Sequence, residues 1–127
     1  MAQSRPDVEL RIPADGAFLS VLRTATAGLE ARLDFTLDDI EDLRIAVDEA
    51  CAVVLPQALP TSDLRCAFYL APQTLTVEVS AHCDSPKPPH RDGFAWTVLS
   101  ALTTSLDTVV EGDTLTVRLS RASGETG

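Results

Sequence analysis

Two segments in which apolar and polar residues alternate constrain the fold of this chain more than any other feature. In Thr74–Ala81 every second residue from Leu75 onward is apolar and the residues between are polar, which is typical of a β-strand with one buried face. Leu64–Leu70 is a second strand-like segment, and Ala71-Pro72-Gln73 between the two indicates a hairpin. A sheet with one apolar face has to bury that face against a second layer of structure.

The other segments supply further strands and the helices for that layer. Val8–Ile12 alternates like a strand, and Gly112-Asp113 indicates a hairpin between Val109–Val110 and Leu115–Leu119. Apolar residues recur at helical spacing in three segments. These are Ala17–Leu33, the segment from the N-cap Thr36 to Val54, and Gly93–Leu106, whose apolar positions include Phe94. The predicted order is therefore β-α-α-β-β-α-β-β.

We expect an α+β fold, a two-layer α/β sandwich in which a mixed or antiparallel sheet of about five strands carries three helices on one face. The length of 127 residues fits one domain, predicted over residues 7–121, with flexible termini at 1–6 and 122–127. No apolar run approaches the roughly 20 residues that cross a bilayer, and no signal peptide is evident. A cytoplasmic protein without membrane contact is the expectation.

The charge of the chain is strongly acidic and unevenly distributed. A total of 19 acidic and 10 basic residues gives a net charge of −9, which argues against nucleic-acid binding because that requires clustered Lys and Arg. The segment Asp34–Glu49 holds seven acids and one base, so a net charge of −6 lies in these 16 residues. Two interpretations stay open: a solvated helix face with favourable acids near its N-terminus, or a docking surface for a basic protein partner.

The three cysteines, Cys51, Cys66 and Cys83, are widely spaced and form no zinc or CxxC motif. We expect small buried side chains in a reducing compartment. Redox sensing stays open as an alternative, because it depends on the exposure of the thiols, which the sequence does not give. His82 and His90 flank the loop that contains Cys83 without the spacing of a metal site. No metal is therefore expected.

The segment Ala31–Cys51 resembles the helical core of the anti-sigma-factor serine-kinase family, within the histidine-kinase-like (GHKL) ATPase superfamily. The similarity continues through Leu75–Ser80, which matches the strand before the nucleotide loop. It also includes Gly93–Leu99, which matches the glycine-rich box that opens the last helix. The resemblance implies a histidine-kinase-like ATPase fold, and the predicted order of elements agrees with it.

The first nucleotide motif of the family is only half present. The resemblance implies that Glu49 stands where the family has its catalytic base, four residues before an Asn that holds Mg²⁺. Here Val53 occupies that second position, and an aliphatic side chain offers no oxygen to a hard cation. The sequence contains no asparagine at all, so no shift of register restores the motif.

The other nucleotide motifs depart from the family as well. Ala81 stands where the family has an Asp that reads adenine, Cys83 replaces the first glycine of that motif, and Gly93 is followed by Ala95 where a second glycine is expected. The family's ATP lid lies between these motifs. Only 11 residues, three of them proline, separate Ala81 from Gly93. We therefore expect no catalytic or nucleotide-binding residues and a vestigial Glu49, with ATP and Mg²⁺ bound only if the altered site still accepts them.

The resemblance also assigns a partner-binding surface to the first helix and the start of the second. Arg23 falls at the position of a family Arg that takes part in binding a sigma factor. Without the resemblance, Arg23 would be interpreted as an ordinary exposed arginine. Asp15 is expected to cap the start of the first helix and, as a second interpretation, to contact the partner. The acidic candidates on the same surface are Asp34, Asp38, Asp39 and Asp42.

The leading hypothesis is an anti-sigma-factor-like regulator that sequesters a sigma factor and releases it to an anti-anti-sigma (STAS-type) partner, with ATP binding and kinase activity lost or strongly impaired. One alternative is an ATP-dependent serine kinase that phosphorylates an anti-anti-sigma protein, with Glu49 as general base. Another is a small ligand- or protein-binding regulatory domain unrelated to sigma factors. A homodimer through the strand Val8–Ile12 is also expected.

Overall fold

A computed structural model describes residues 5–123 of the chain, so the predictions for residues 1–4 and 124–127 lie outside the described part. The order of elements in the described part is that predicted from the sequence. The elements are β1 (Val8–Pro13), α1 (Leu19–Arg32), α2 (Leu37–Val54), β2 (Asp63–Ala71), β3 (Thr74–His82), α3 (Phe94–Leu102), β4 (Ser105–Glu111) and β5 (Thr114–Ala122), with 3₁₀ turns at Gly16–Phe18 and Leu55–Gln57. Across residues 5–123, no helix combines the length and apolar character that crossing a bilayer requires.

The five strands of the described chain form a single sheet in the order β1-β2-β3-β5-β4, and every neighbouring pair is antiparallel. The two predicted hairpins, β2-β3 and β4-β5, are both present. This confirms the α+β sandwich and selects the antiparallel form of the sheet. β1 and β4 are its edges, and the homodimer expected through β1 stays a prediction.

The core lies between the sheet and the helices. In β3 the side chains of Leu75, Val77 and Val79 are fully buried, as the alternation predicts. Further buried residues come from both layers and pack into one cluster. They include Leu22, Leu43, Ala46, Val47, Ala50, Cys51, Val54, Leu64, Cys66, Phe68, Leu99, Leu115, Val117 and Leu119.

The third helix is shorter than predicted. It ends at Leu102 rather than Leu106, and β4 begins at Ser105, four residues before the predicted strand. Thr103 and Thr104 explain the difference. The Thr103 hydroxyl donates to the Leu99 carbonyl at 2.7 Å, and the Thr104 amide pairs with Ser120 of β5 at 2.7 Å. The prediction that Phe94 belongs to the core is wrong, because this first residue of α3 is 79% exposed.

The N-termini of the first two helical segments are capped as the sequence predicts. Asp15 Oδ1 accepts a hydrogen bond from the Ala17 amide at 2.9 Å and caps the 3₁₀ turn that leads into α1. Thr36 Oγ1 accepts from the Asp39 amide at 3.1 Å and caps α2. Side-chain acceptors at these positions satisfy amides that have no partner within the helix.

Asp39 anchors the start of α2 to the sheet. It is 1% exposed, and its Oδ1 lies 2.8 Å from Nη2 of Arg121, near the end of β5. Arg121 also donates from Nη1 to the Leu102 carbonyl at the end of α3, at 2.8 Å, and lies 3.1 Å from Asp42 Oδ2. We call Asp39, Asp42 and Arg121, together with the Leu102 carbonyl, the polar clamp. It joins two helices to one strand.

The polar clamp corrects one prediction. Asp39 was predicted as a partner contact, but its burial removes it from the accessible surface. Its charge is needed inside the fold to pair with Arg121. β5 continues through Ala122, and the domain limits given from the sequence stay a prediction.

Replacing Arg121 by Ala should lower the free energy of unfolding by about 3 kcal/mol, since it leaves the buried Asp39 carboxylate without its guanidinium. Urea unfolding followed by circular dichroism measures the loss. Arg11→Ala is the matched control, because the Arg11 side chain is 60% exposed and paired with Glu9 on the surface, where an ion pair contributes less than about 1 kcal/mol. Equal losses in the two variants would contradict a structural role for the clamp.

Candidate functional site

The first candidate surface is the junction of α1 and α2, where Arg23 lies. The Arg23 side chain is 45% exposed, and its Nε lies 2.9 Å from Asp48 Oδ1 on α2. Asp48 Oδ2 is 3.5 Å from Arg44, which also pairs with Glu41 at 2.5 Å. Arg23 therefore stands at one end of an exposed network of alternating charges that crosses from α1 to α2.

The predicted acidic contacts divide by exposure. Asp34 and Asp38 are exposed, Asp42 is half-buried in the polar clamp, and Asp39 is inaccessible. Asp34 has a positive φ of 58° and ends the turn between α1 and α2. Asp15 is exposed and serves as the cap described above. Partner binding by Arg23, Asp15, Asp34, Asp38 and Asp42 stays a prediction.

The same two helices carry exposed apolar side chains that sequence reasoning missed. Leu37 is 84% exposed at the first position of α2, and Phe18, Val21 and Ile45 are also exposed. Phe18, in the 3₁₀ turn before α1, and Val21 fit the apolar spacing of the segment Ala17–Leu33, so the spacing predicted burial for both and is wrong at these positions. Leu37 was detectable, because it lies outside the spacing of the buried residues of α2. Exposed apolar groups beside charges are typical of protein-binding surfaces.

The second candidate site comprises the positions that the resemblance assigns to the nucleotide. Glu49 and Val53 are both half-buried and stand four residues apart, on one side of α2. Val53 lines an open depression together with Gln57, Ser85, Pro88 and His90. The side chain of Val53 is aliphatic, so the depression has no Mg²⁺ ligand at this position.

The end of β3 is closed by main-chain contacts. Ala81 and Cys83 are buried, and Ala81 pairs with Leu115 of β5. The Cys83 amide donates to the Asp113 carbonyl at 2.7 Å, and Cys83 forms an isolated bridge with Ala58. A methyl group and a thiol at these positions provide no carboxylate with which to bind an adenine amino group.

The proline-rich loop, residues 83–92, is fastened to the end of α2 by one side chain. Gln57 Nε2 donates to the Lys87 carbonyl at 2.9 Å, and the Lys87 amide donates to Gln57 Oε1 at 2.8 Å. Gln57 Nε2 also lies 3.2 Å from the Val53 carbonyl. Sequence reasoning missed Gln57, because a single amide between two prolines gives no signal of a contact 30 residues away.

Gly93, the retained glycine of the third motif, serves as the N-cap of α3. A Cβ atom at this position would lie 3.2 Å from the His90 carbonyl oxygen, so close packing of the loop accounts for the glycine. Ala95 is half-buried behind it, and the Trp96 ring lies under the Arg91 guanidinium, 4.2 Å from its centroid. These contacts are internal to the loop and α3.

Neither metals nor reactive thiols are indicated in the described chain. Residues 5–123 contain no group of three or more His, Cys, Asp or Glu side chains arranged to hold a metal ion. Cys51, Cys66 and Cys83 are all buried, as expected. Burial raises the pKa of the Cys51 and Cys66 thiols to about 12 and also raises the pKa of Cys83, so the thiolate form is suppressed.

The known proteins that are similar to this chain include several named RsbW. No protein-family model matches the chain. The anti-sigma-F factor RsbW of Mycobacterium tuberculosis (strain H37Rv) is 35% identical over 105 residues, which cover 83% of this chain and 62% of that protein. The serine-protein kinase RsbW of Bacillus velezensis is 40% identical over 58 residues, 46% of this chain and 36% of the relative. The chain thus spans less than two thirds of the length of these relatives.

A solved structure supports the fold. The crystal structure of the RsbU and RsbW domains of a Mycobacterium tuberculosis protein superposes with a TM-score of 0.69 at 17% identity, over 92% of this chain and 33% of that one. The order of elements and these relatives agree with the resemblance of the segment around α2. The relatives and the shared fold support the anti-sigma-factor serine-kinase family for this chain.

Proposed function

We propose that the protein binds and sequesters a sigma factor and is released by an anti-anti-sigma protein of the STAS type. The observation that carries the proposal is the 35% identity with an anti-sigma-F factor across 83% of this chain. The proposed site of action is the cytoplasm, where sigma factors meet RNA polymerase. Homodimerisation through β1 is part of the same proposal.

The α1–α2 junction supports this function physically. Its exposed charges, Asp34, Asp38 and the network that includes Arg23, are of both signs, and exposed Leu37 adds apolar area. The net charge of −6 over residues 34–49 would accelerate encounter with a basic surface. Apolar contacts then provide affinity, and charges provide orientation.

We further propose that ATP binding and kinase activity are lost or strongly impaired. Val53 supplies no Mg²⁺ ligand, and the buried Ala81 supplies no adenine acceptor. Gln57 holds the proline-rich loop against α2, where a longer lid would have to open and close. Retained Glu49 and relatives named serine-protein kinases favour the alternative, a serine kinase acting on an anti-anti-sigma protein.

Sigma-factor binding is tested by native mass spectrometry of the full chain with each sigma factor of the source organism. We expect a stable complex with at least one, and Arg23→Ala should weaken it by roughly tenfold because an interfacial charge is lost. Arg118→Ala, on strand β5 of the sheet, should bind like the wild type. Failure of the wild type to form any complex would contradict the proposed function.

Nucleotide binding is tested by calorimetric titration of the full chain with Mg-ATP. We expect no heat of binding at micromolar nucleotide, because the Mg²⁺ and adenine contacts are missing. The Bacillus velezensis RsbW kinase serves as the assay control. Micromolar binding of Mg-ATP by the wild type would overturn this proposal and favour the kinase alternative.

A further inference from the structure

We propose that Glu30, on the floor of a crevice between α1 and α2, receives a lysine or arginine side chain of the partner protein. This inference rests on the proposed sigma-factor binding and adds a residue that selects for a basic group. The resemblance assigns no role to Glu30.

The crevice is small and lies directly at the α1–α2 junction. It has a volume of about 40 Å³ and is lined by both helices. Thr26, Glu30 and Val47 are buried and form its floor, while Arg23 and Arg44 are exposed at its rim. The space suits the head group of one side chain and excludes a folded segment.

Glu30 is the unexplained polar group of this crevice. It is 1% exposed, and its Oε2 atom has no hydrogen-bond partner among residues 5–123. The other polar floor residue does not help, because the Thr26 hydroxyl donates to the Leu22 carbonyl at 2.8 Å. A buried carboxyl oxygen without a donor is costly unless something supplies one.

The charged groups around Glu30 are already engaged with one another. Arg23 pairs with Asp48, and Arg44 pairs with Glu41 and Asp48. On the inner side Asp39 is paired with Arg121 of β5. No cationic side chain of the described chain therefore pairs with Glu30. A cationic side chain from a partner would supply the missing ion pair.

The same surroundings make the carboxyl responsive to pH. Burial, and secondarily the charge of Asp39, raise the pKa of Glu30 to about 7. A cation in the crevice stabilises the ionised form, so binding releases a proton below this pKa. Affinity for the partner should therefore rise with pH, by about tenfold between pH 6 and pH 8 for one proton.

Glu30→Gln tests the proposal because it keeps the shape and removes the charge. With the sigma factor found in the panel above, we expect binding at pH 8 to weaken by roughly tenfold or more and its dependence on pH to flatten. Thermal unfolding at pH 8 should show equal or higher stability, since a buried charge is gone, which excludes misfolding as the cause. Equal affinity of wild type and variant at pH 6 and pH 8 would overturn the proposal while leaving the proposed function intact.

A second variant tests whether the partner side chain enters the crevice while the charge of Glu30 is kept. Ala27 lies on the exposed side of the crevice, and Ala27→Leu should block entry and weaken binding while Glu30 is retained. Gly28→Ala is the matched control on the next residue of α1, where an added Cβ meets nothing within 4 Å. If Ala27→Leu binds as tightly as Gly28→Ala, the partner does not enter the crevice.

A titration without any partner protein tests the site by itself. Carboxyl ¹³C NMR of the full chain follows Glu30 in methylguanidinium chloride, with sodium chloride of equal ionic strength as control. We expect methylguanidinium alone to lower the midpoint of the Glu30 titration. An identical midpoint in the two salts would contradict the site, and this result holds even if no sigma factor binds.

Discussion

The ion pair between Asp39 and Arg121 is the constraint on which the relation of the two layers depends. Hydrophobic burial brings helices and sheet together, but it is non-directional and does not fix how they are offset. Arg121 reaches the start of α2 through Asp39 and the end of α3 through the Leu102 carbonyl, at 2.8 Å in both cases. One guanidinium at the end of β5 thus joins α2, which contributes to both candidate sites, to α3, which borders the second site.

Much of the fold was predictable because each layer has its own periodicity. The alternation in Thr74–Ala81 and the hairpin signals specified antiparallel strands, and helical spacing specified three helices. The end of α3 was misplaced because the residues after Leu102 can continue a helix or begin a strand. The main-chain hydrogen bond from Thr104 to Ser120, a residue far along the chain, favours the strand. Phe94 was misassigned because a residue in the first turn of a helix can follow the apolar spacing without facing the core.

The candidate site was less predictable, for two physical reasons. Asp39 lies four residues before buried Leu43, and Glu30 lies four after buried Thr26. Helical spacing thus pointed inward for both, but Asp39 was assigned to the surface because of its charge, and Glu30 was not singled out. Only the positions of Arg121 and the crevice distinguish a paired buried acid from one that lacks a donor. Gln57 gave no signal, because its partner is the main chain of a loop rather than a side chain with a recognisable pattern.

The fastening of the proline-rich loop by Gln57 has a consequence for the chemistry of the surface. Lys87 is the sole lysine in the 127 residues, and its main chain is held at both its amide and its carbonyl while its side chain is exposed. Amine-directed reagents therefore find one ordered lysine, at the edge of the depression beside α2. A dye or cross-linker attached there would report distances from a fixed point, because the backbone that carries it does not need to become ordered when a partner arrives.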